Sequence, residues 1–182
     1  MRITLASPLF PPEIAEPAPY TKELATRLAG GHQVSVVAYA HSPERVQGAE
    51  IISVEKRRPL PIRLIRFYFA LFRAARGTDI LYIQNGPSVE LPAAFFSLFT
   101  RTPLIIHIGD TAAHTYAQTR PLLRAIERFV RARARKVVTD SPLARPEINP
   151  LLPQPEAELA AYEASWAKHL AYLEDLFSNA KN

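Results

Sequence analysis

The feature that most constrains this chain is a rhythm: short β-forming runs alternate with helical stretches of roughly 10 to 15 residues. RITLAS (2–7), QVSVVAYA (33–40), EIISVE (50–55), DILYIQ (79–84), PLIIHIG (103–109) and KVVTD (136–140) read as strands. Between them, 18–29, 62–76, 88–100 and 120–135 carry apolar residues at helical spacing, and Gly30-Gly31 and Gly77 close the first two. Alternation of this kind predicts right-handed βαβ units and a parallel sheet covered on both faces. Near-continuous apolar runs such as DILYI and PLIIHI suit strands buried on both sides. The fold class is α/β, a Rossmann-like doubly wound sheet spanning residues 1–140.

After Asp140 the character changes. Residues 141–156 hold five prolines in sixteen positions, which forbids regular helix and favours an extended linker, taken as 141–155. A single helix over 156–179 then resumes, with Leu159, Tyr162, Trp166, Leu170, Leu173 and Phe177 forming a wide apolar stripe. Such a helix needs a surface to dock on, and the preceding domain is the expected one.

The chain has 182 residues, enough for a substantial core, and no cysteine, which excludes disulfides, thiolate metal sites and thiol catalysis. A reducing cytoplasm fits that composition. The N-terminal run reads as a strand rather than a signal peptide, and no segment approaches the roughly 20 apolar residues that span a bilayer. The net charge of +5 is unevenly spread. Seven Lys/Arg face two Glu over 50–76, seven face Glu127 alone over 119–136, and from 154 onward five acids outnumber two lysines. Nucleic-acid binding is not expected, because no helix-turn-helix, zinc or RNA-recognition motif accompanies the basic stretches.

Three segments carry a family resemblance: RITLASPLFPPEIAEPAPYTKELATRLAGGHQVSVVAY, TDILYIQNGPSVELPAAFFSLFTRTPLIIHIGD and IERFVRARARKVVTDSP. Their order and loops resemble the N-terminal domain of retaining glycosyltransferases of family 4, which have two Rossmann-like halves in the GT-B arrangement. The resemblance covers about residues 1–142. It implies an acceptor-side half of a nucleotide-sugar-dependent hexosyltransferase. The donor-binding half of the family carries two glutamates separated by seven residues, and none of the thirteen glutamates here has another eight positions on. The resemblance therefore implies a chain inactive alone, whose catalysis a separate donor-domain chain could restore. The competing readings are a stand-alone binding or scaffold module, or an engineered half-domain without catalysis.

Candidate site residues follow from loops at predicted strand ends. In many relatives the first loop holds a Gly-Gly that approaches the donor phosphates; here Glu16-Pro17 stands in that place. Proline lacks an N–H and a carboxylate repels a diphosphate, so the loop is either a stiffened remnant or shaped for an acceptor. His107 and Asp110 end another strand, where the family lines its acceptor cleft; they are the candidate catalytic pair. The imidazole could hydrogen-bond sugar hydroxyls and the carboxylate could act as base, although a structural histidine bonded to a neighbouring backbone group fits the sequence equally. Gly109 permits a sharp turn, and Asn85-Gly86 is either an acceptor contact or simply a turn. Glu16, Asn85, Gly86 and Gly109 are the candidate acceptor-binding residues.

No cofactor and no metal are expected; His107, Asp110 and His114 lie in what reads as a loop, with nothing to fix a ligand geometry. Arg57, Arg58, Arg63 and Arg66 are candidate contacts to an anionic surface, since family members acting on lipid-linked acceptors dock through a basic, aromatic helix in this region. Leu64, Phe67 and Leu71 of the same helix read as packing residues. A sugar or lipid-linked acceptor and a peripheral contact with the inner face of the membrane are the partners implied.

Overall fold

The computed structural model describes residues 1–146 and 156–181. They divide into two compact units, Met1–Thr139 and Asp140–Asn182.

The first unit is one six-stranded sheet, β1 (Arg2–Ser7), β2 (Gln33–Tyr39), β3 (Ala49–Val54), β4 (Ile80–Gln84), β5 (Leu104–His107) and β6 (Lys136–Val138), in the order β3-β2-β1-β4-β5-β6. All pairs are parallel. The helices are α1 (Ala18–Leu28), α2 (Leu60–Ala75), α3 (Pro87–Phe99), α4 (Thr111–Thr119) and α5 (Pro121–Arg133). This is the Rossmann-like α/β architecture that the alternation predicts, with boundaries within two residues of those read from the sequence. The exception is α4: residues 107–114 read as strand end and loop, whereas Thr111 onward is helical. The segment TAAHTYAQT is short, and Pro121 opens the next helix two residues after it ends, so no apolar period announces it.

Right-handed crossovers place α1 on one face and α2, α3 and α5 on the other. On the second face Val37, Tyr39, Leu81, Ile83, Leu104 and Ile106 meet Phe67, Leu71, Val89, Ala93, Phe96 and Val130 in one core. Period-two alternation sends Ile3, Leu5, Val36, Ile80, Tyr82 and Ile105, all buried, to the α1 face. Strand order reverses between β1 and β4. That switch point is where α/β sheets open a crevice at the carboxyl ends of their strands.

The second unit holds α6 (Glu156–Lys181). Within it, Trp166 meets Tyr162 edge-on at 6.4 Å and His169 at 5.9 Å, and Ser165 Oγ accepts a hydrogen bond from the Leu143 amide at 3.0 Å. Of the predicted linker, 147–155 lie outside the described residues.

Candidate active-site cleft at the strand switch point

The crevice is walled by the loop after β1 and by the ends of β4 and β5. The β1 loop is pinned at both ends. Phe10 is fully buried, and the Thr21 hydroxyl reaches both Ser7 Oγ at 3.0 Å and the Pro17 carbonyl at 2.8 Å. Between these anchors residues 12–16 are exposed, with Ile14 at 92%. The Glu16 carboxyl is held above its ordinary value, first by partial burial and second by the nearby Asp110 carboxylate. Glu16 and Asp110 therefore share one patch, although 94 residues of sequence separate them.

Two strand ends are tied together by Asn85. Its side-chain amide donates to the Asp110 carbonyl at 2.8 Å, and its Oδ1 accepts from the Asp110 amide at 3.0 Å. The Asn85 amide also donates to the His107 carbonyl at 2.9 Å, extending the β4–β5 ladder by one rung. Gly86 sits at φ 147°, and a Cβ there would stand 3.3 Å from Pro8 Cγ, so glycine lets the β4 loop pass against the β1 loop. The Asn85-Gly86 pair is thus both a turn and a clamp.

His107 lies beneath this clamp rather than in the open cleft. It is 1% exposed, its Nδ1 is 2.8 Å from Gln84 Oε1, and its ring stacks on Tyr20 at 4.5 Å and 17°. Tyr82 stacks on it at 6.0 Å, and the Tyr20 and Tyr82 hydroxyls meet at 2.8 Å. Burial pushes the Tyr20 phenol well above its usual range. A Cβ on Gly109 would fall 2.6 Å from His107 Cε1, so this glycine exists to let the chain cross the imidazole. Of the two histidine readings open in the sequence, the geometry has the packed, side-chain-bonded form. Tyr20, Tyr82 and Gln84 complete that layer and were not legible as site residues, because their apolar spacing reads as core. Only the polar tips of the two tyrosines, one on each of two facing elements, hinted otherwise.

Under Gly86, α3 buries a second acidic group. Glu90 Oε1 accepts from the Gly86 amide at 3.2 Å, while its Oε2 is buried without a hydrogen-bond partner. Burial raises its pKa to about 7; the Gly86 amide opposes this, Glu127 adds to it, and Arg131 opposes it. Glu127 is also buried, and accepts from Gln118 at 2.8 Å, lies 2.9 Å from His114 Nδ1 and pairs with Arg131. His114 is therefore turned toward α5 instead of toward His107 and Asp110. Among the described residues no cluster of three or more His, Cys, Asp or Glu is arranged to hold a metal ion.

The structure thus brings Glu16, Asn85, Gly86, His107, Gly109 and Asp110 to one place. It does not bring the arginines there. Arg57 and Arg58 lie exposed before α2, Arg66 is exposed on it, and Arg63 covers the Tyr39 ring at 5.3 Å while donating to the Lys56 carbonyl at 3.2 Å. Phe67 and Leu71 are fully buried, as packing residues should be, and Leu64 is half-buried.

Residues 16–158 match the family model of the glycosyl transferase 4-like domain. Among solved structures the chain is similar to Anabaena Alr3699/HepE in complex with UDP, with a TM-score of 0.53 and 17% identity over 91% of this chain and 41% of that one. It is similar to the same Anabaena protein in complex with UDP and glucose, with a TM-score of 0.55 and 15% identity at the same coverages. The chain spans about two-fifths of the length of those neighbours, and at this identity the likeness is one of fold. No curated protein matches the sequence. With the family model covering most of its length, this chain belongs to the glycosyl transferase 4-like domain family.

Proposed function

We propose that the chain is the acceptor-side half of a retaining hexosyltransferase that draws on a nucleotide sugar held by a donor-side partner. The observation that carries this reading is the shared acidic patch of Glu16 and Asp110 at the strand switch point. Two carboxylates there repel a diphosphate and accept hydrogen bonds from sugar hydroxyls. Asp110 is the group we assign to the acceptor hydroxyl as hydrogen-bond partner or base, with Glu16 beside it. His107 acts as a positioning residue that holds Gly109 and Asp110 from below. The Anabaena neighbour's complex with UDP and glucose supports sugar-nucleotide chemistry for the complete two-domain architecture.

A lipid-linked acceptor at a membrane surface fits a second set of observations. No helix among the described residues is long and apolar enough to cross a membrane. The helices α2, α3 and α5, however, expose Ile62, Ile65, Phe69, Leu98, Phe99 and Phe129 on one side of the sheet. The only acids on those three helices, Glu90 and Glu127, are buried. An outward layer of aromatic and arginine side chains without an acid suits an anionic leaflet.

The test of the acceptor-side assignment is a thermal-shift titration of the chain with UDP, UDP-glucose and the corresponding GDP compounds. No saturable shift is expected. A saturable shift that a substitution at Glu16 alters would show that the Glu16 loop receives a diphosphate, and the assignment would fail.

A further inference from the structure

At the other end of the sheet, remote from the cleft, the first residues of β1, β2 and β3 and the last turn of α2 enclose a pocket of about 230 Å³. Arg2, Arg73 and Arg76 line it, with Gln33, Ser35 and Thr78 between them. Among the described residues none of the three guanidiniums is paired with a carboxylate. The main chain of Arg2 is fixed: its amide donates to Asp79 Oδ2 at 2.8 Å, and its carbonyl accepts from the Asp79 amide at 2.8 Å and the Thr78 hydroxyl at 3.1 Å. Its guanidinium lies over Gly77, which has φ +79°; a Cβ there would come within 3.2 Å of Nη1.

The charges do not cancel. Three guanidiniums face one lining carboxylate, Glu50, whose Oε2 is 3.5 Å from Ser35 Oγ. The Asp79 carboxylate on the Arg2 amide and the carboxyl end of α2, with about half a negative charge, reduce the surplus to roughly half a positive charge. Guanidiniums present paired N–H groups that match phosphate oxygens, and the Gln33 amide adds a neutral donor, while the Thr78 and Ser35 hydroxyl protons are already given to the Arg2 carbonyl and to Glu50. Glu50 and the Gln33 carbonyl oxygen supply acceptors, which a phosphate ion alone does not need but the hydroxyls of its ester would use. We propose that this pocket is a binding site for phosphate monoesters of small hydroxylated molecules, separate from the acceptor cleft and independent of what the cleft binds.

The ester could be a free metabolite or a lipid headgroup, so the experiment has two arms. The full chain is titrated calorimetrically with glycerol 3-phosphate at fixed ionic strength, and is floated with phosphatidylcholine vesicles containing phosphatidic acid. Both arms are repeated with Arg73→Gln/Arg76→Gln and with Arg45→Gln/Arg101→Gln, which removes equal charge from exposed positions outside the pocket. Saturable binding is expected in at least one arm, weakened roughly tenfold by the pocket pair and nearly unchanged by the control pair. Binding in the calorimeter assigns a soluble ester; binding only to vesicles assigns a headgroup. Absence of binding in both arms, binding that survives the pocket pair, or equal loss in both variants overturns the proposal. Arg76→Gln alone, beyond the last residue of α2, repeats the measurement if the pair disturbs folding.

Discussion

Glu90 is a carboxyl whose ionisation the fold resists. Its pKa of about 7 stands above the ordinary carboxyl value of 4.5 because burial withdraws it from water. Between those two values the unfolded chain has released a proton that the native chain keeps. Stability therefore falls as pH rises through this window, and the full loss, on the order of 3 kcal/mol, is reached above the native pKa. Glu90→Gln keeps an acceptor for the Gly86 amide and removes the titration. Thermal melts of both proteins across the window should show the parent losing stability toward neutral pH and the variant holding level. Parallel curves would mean that Glu90 does not titrate there. None of this was legible in SVELPAAFFSLFT, where one glutamate in a first helical turn reads as an exposed group complementing the dipole. The strand-end residues Asn85, Gly86, His107 and Asp110 could be named from the sequence because α/β strand ends are where sites gather. Their division into clamp, buried stack and exposed carboxylate depends on contacts between residues more than 20 positions apart.

Among the elements, α2 shows best how far pattern carries. Of the packing positions read from its spacing, Phe67 and Leu71 are buried and Leu64 half-buried, with Ala75 joining them. The opposite side carries Ile62, Ile65 and Phe69 beside Arg66, more exposed apolar surface than a sheet-covering helix needs. Phe69 is 65% exposed, and surface substitutions of this kind usually change stability by less than about 0.5 kcal/mol. If α2 meets a bilayer, Phe69→Glu should leave urea unfolding unchanged while lowering co-sedimentation with phosphatidylglycerol vesicles several-fold, roughly what burying one aromatic ring contributes. Undiminished co-sedimentation would remove α2 from any membrane contact. The helix α4 lies at the other extreme: nine residues of weak periodicity, formed where Asp110 starts a turn and His114 packs on Glu127.

At the scale of the molecule, parallel pairing is what the βα alternation leads one to expect, whereas the strand order β3-β2-β1-β4-β5-β6, with a β2-to-β3 step that no helix bridges, comes from the structure. The separation of Met1–Thr139 from Asp140–Asn182 coincides with the change of composition at Asp140. The chain covers about two-fifths of the length of its Anabaena structural neighbour. On the acceptor-side reading the chain alone should release or transfer no hexose from UDP-glucose, assayed by glucose and UDP formation over hours. Turnover by the purified chain, abolished by Asp110→Asn, would show that one half suffices and refute the division of labour. The polarity of the sheet adds a spatial separation: a carboxylate-lined carboxyl end and an arginine-lined amino end present opposite charge to solutes approaching the same molecule.

The reciprocal bonds between Asn85 and Asp110 also bear on how this protein ages. An asparagine followed by glycine is the sequence most exposed to spontaneous loss of ammonia, in which the glycine amide nitrogen attacks the side-chain carbonyl to close a succinimide. Here both polar atoms of the Asn85 side chain are engaged by the Asp110 backbone, and the Gly86 amide is turned toward Glu90. The attacking nitrogen and its target carbon are kept from meeting while the cleft is closed. Asn85 should therefore deamidate more slowly in the folded chain than in a short peptide of the same sequence, a difference that mass spectrometry of aged samples would read.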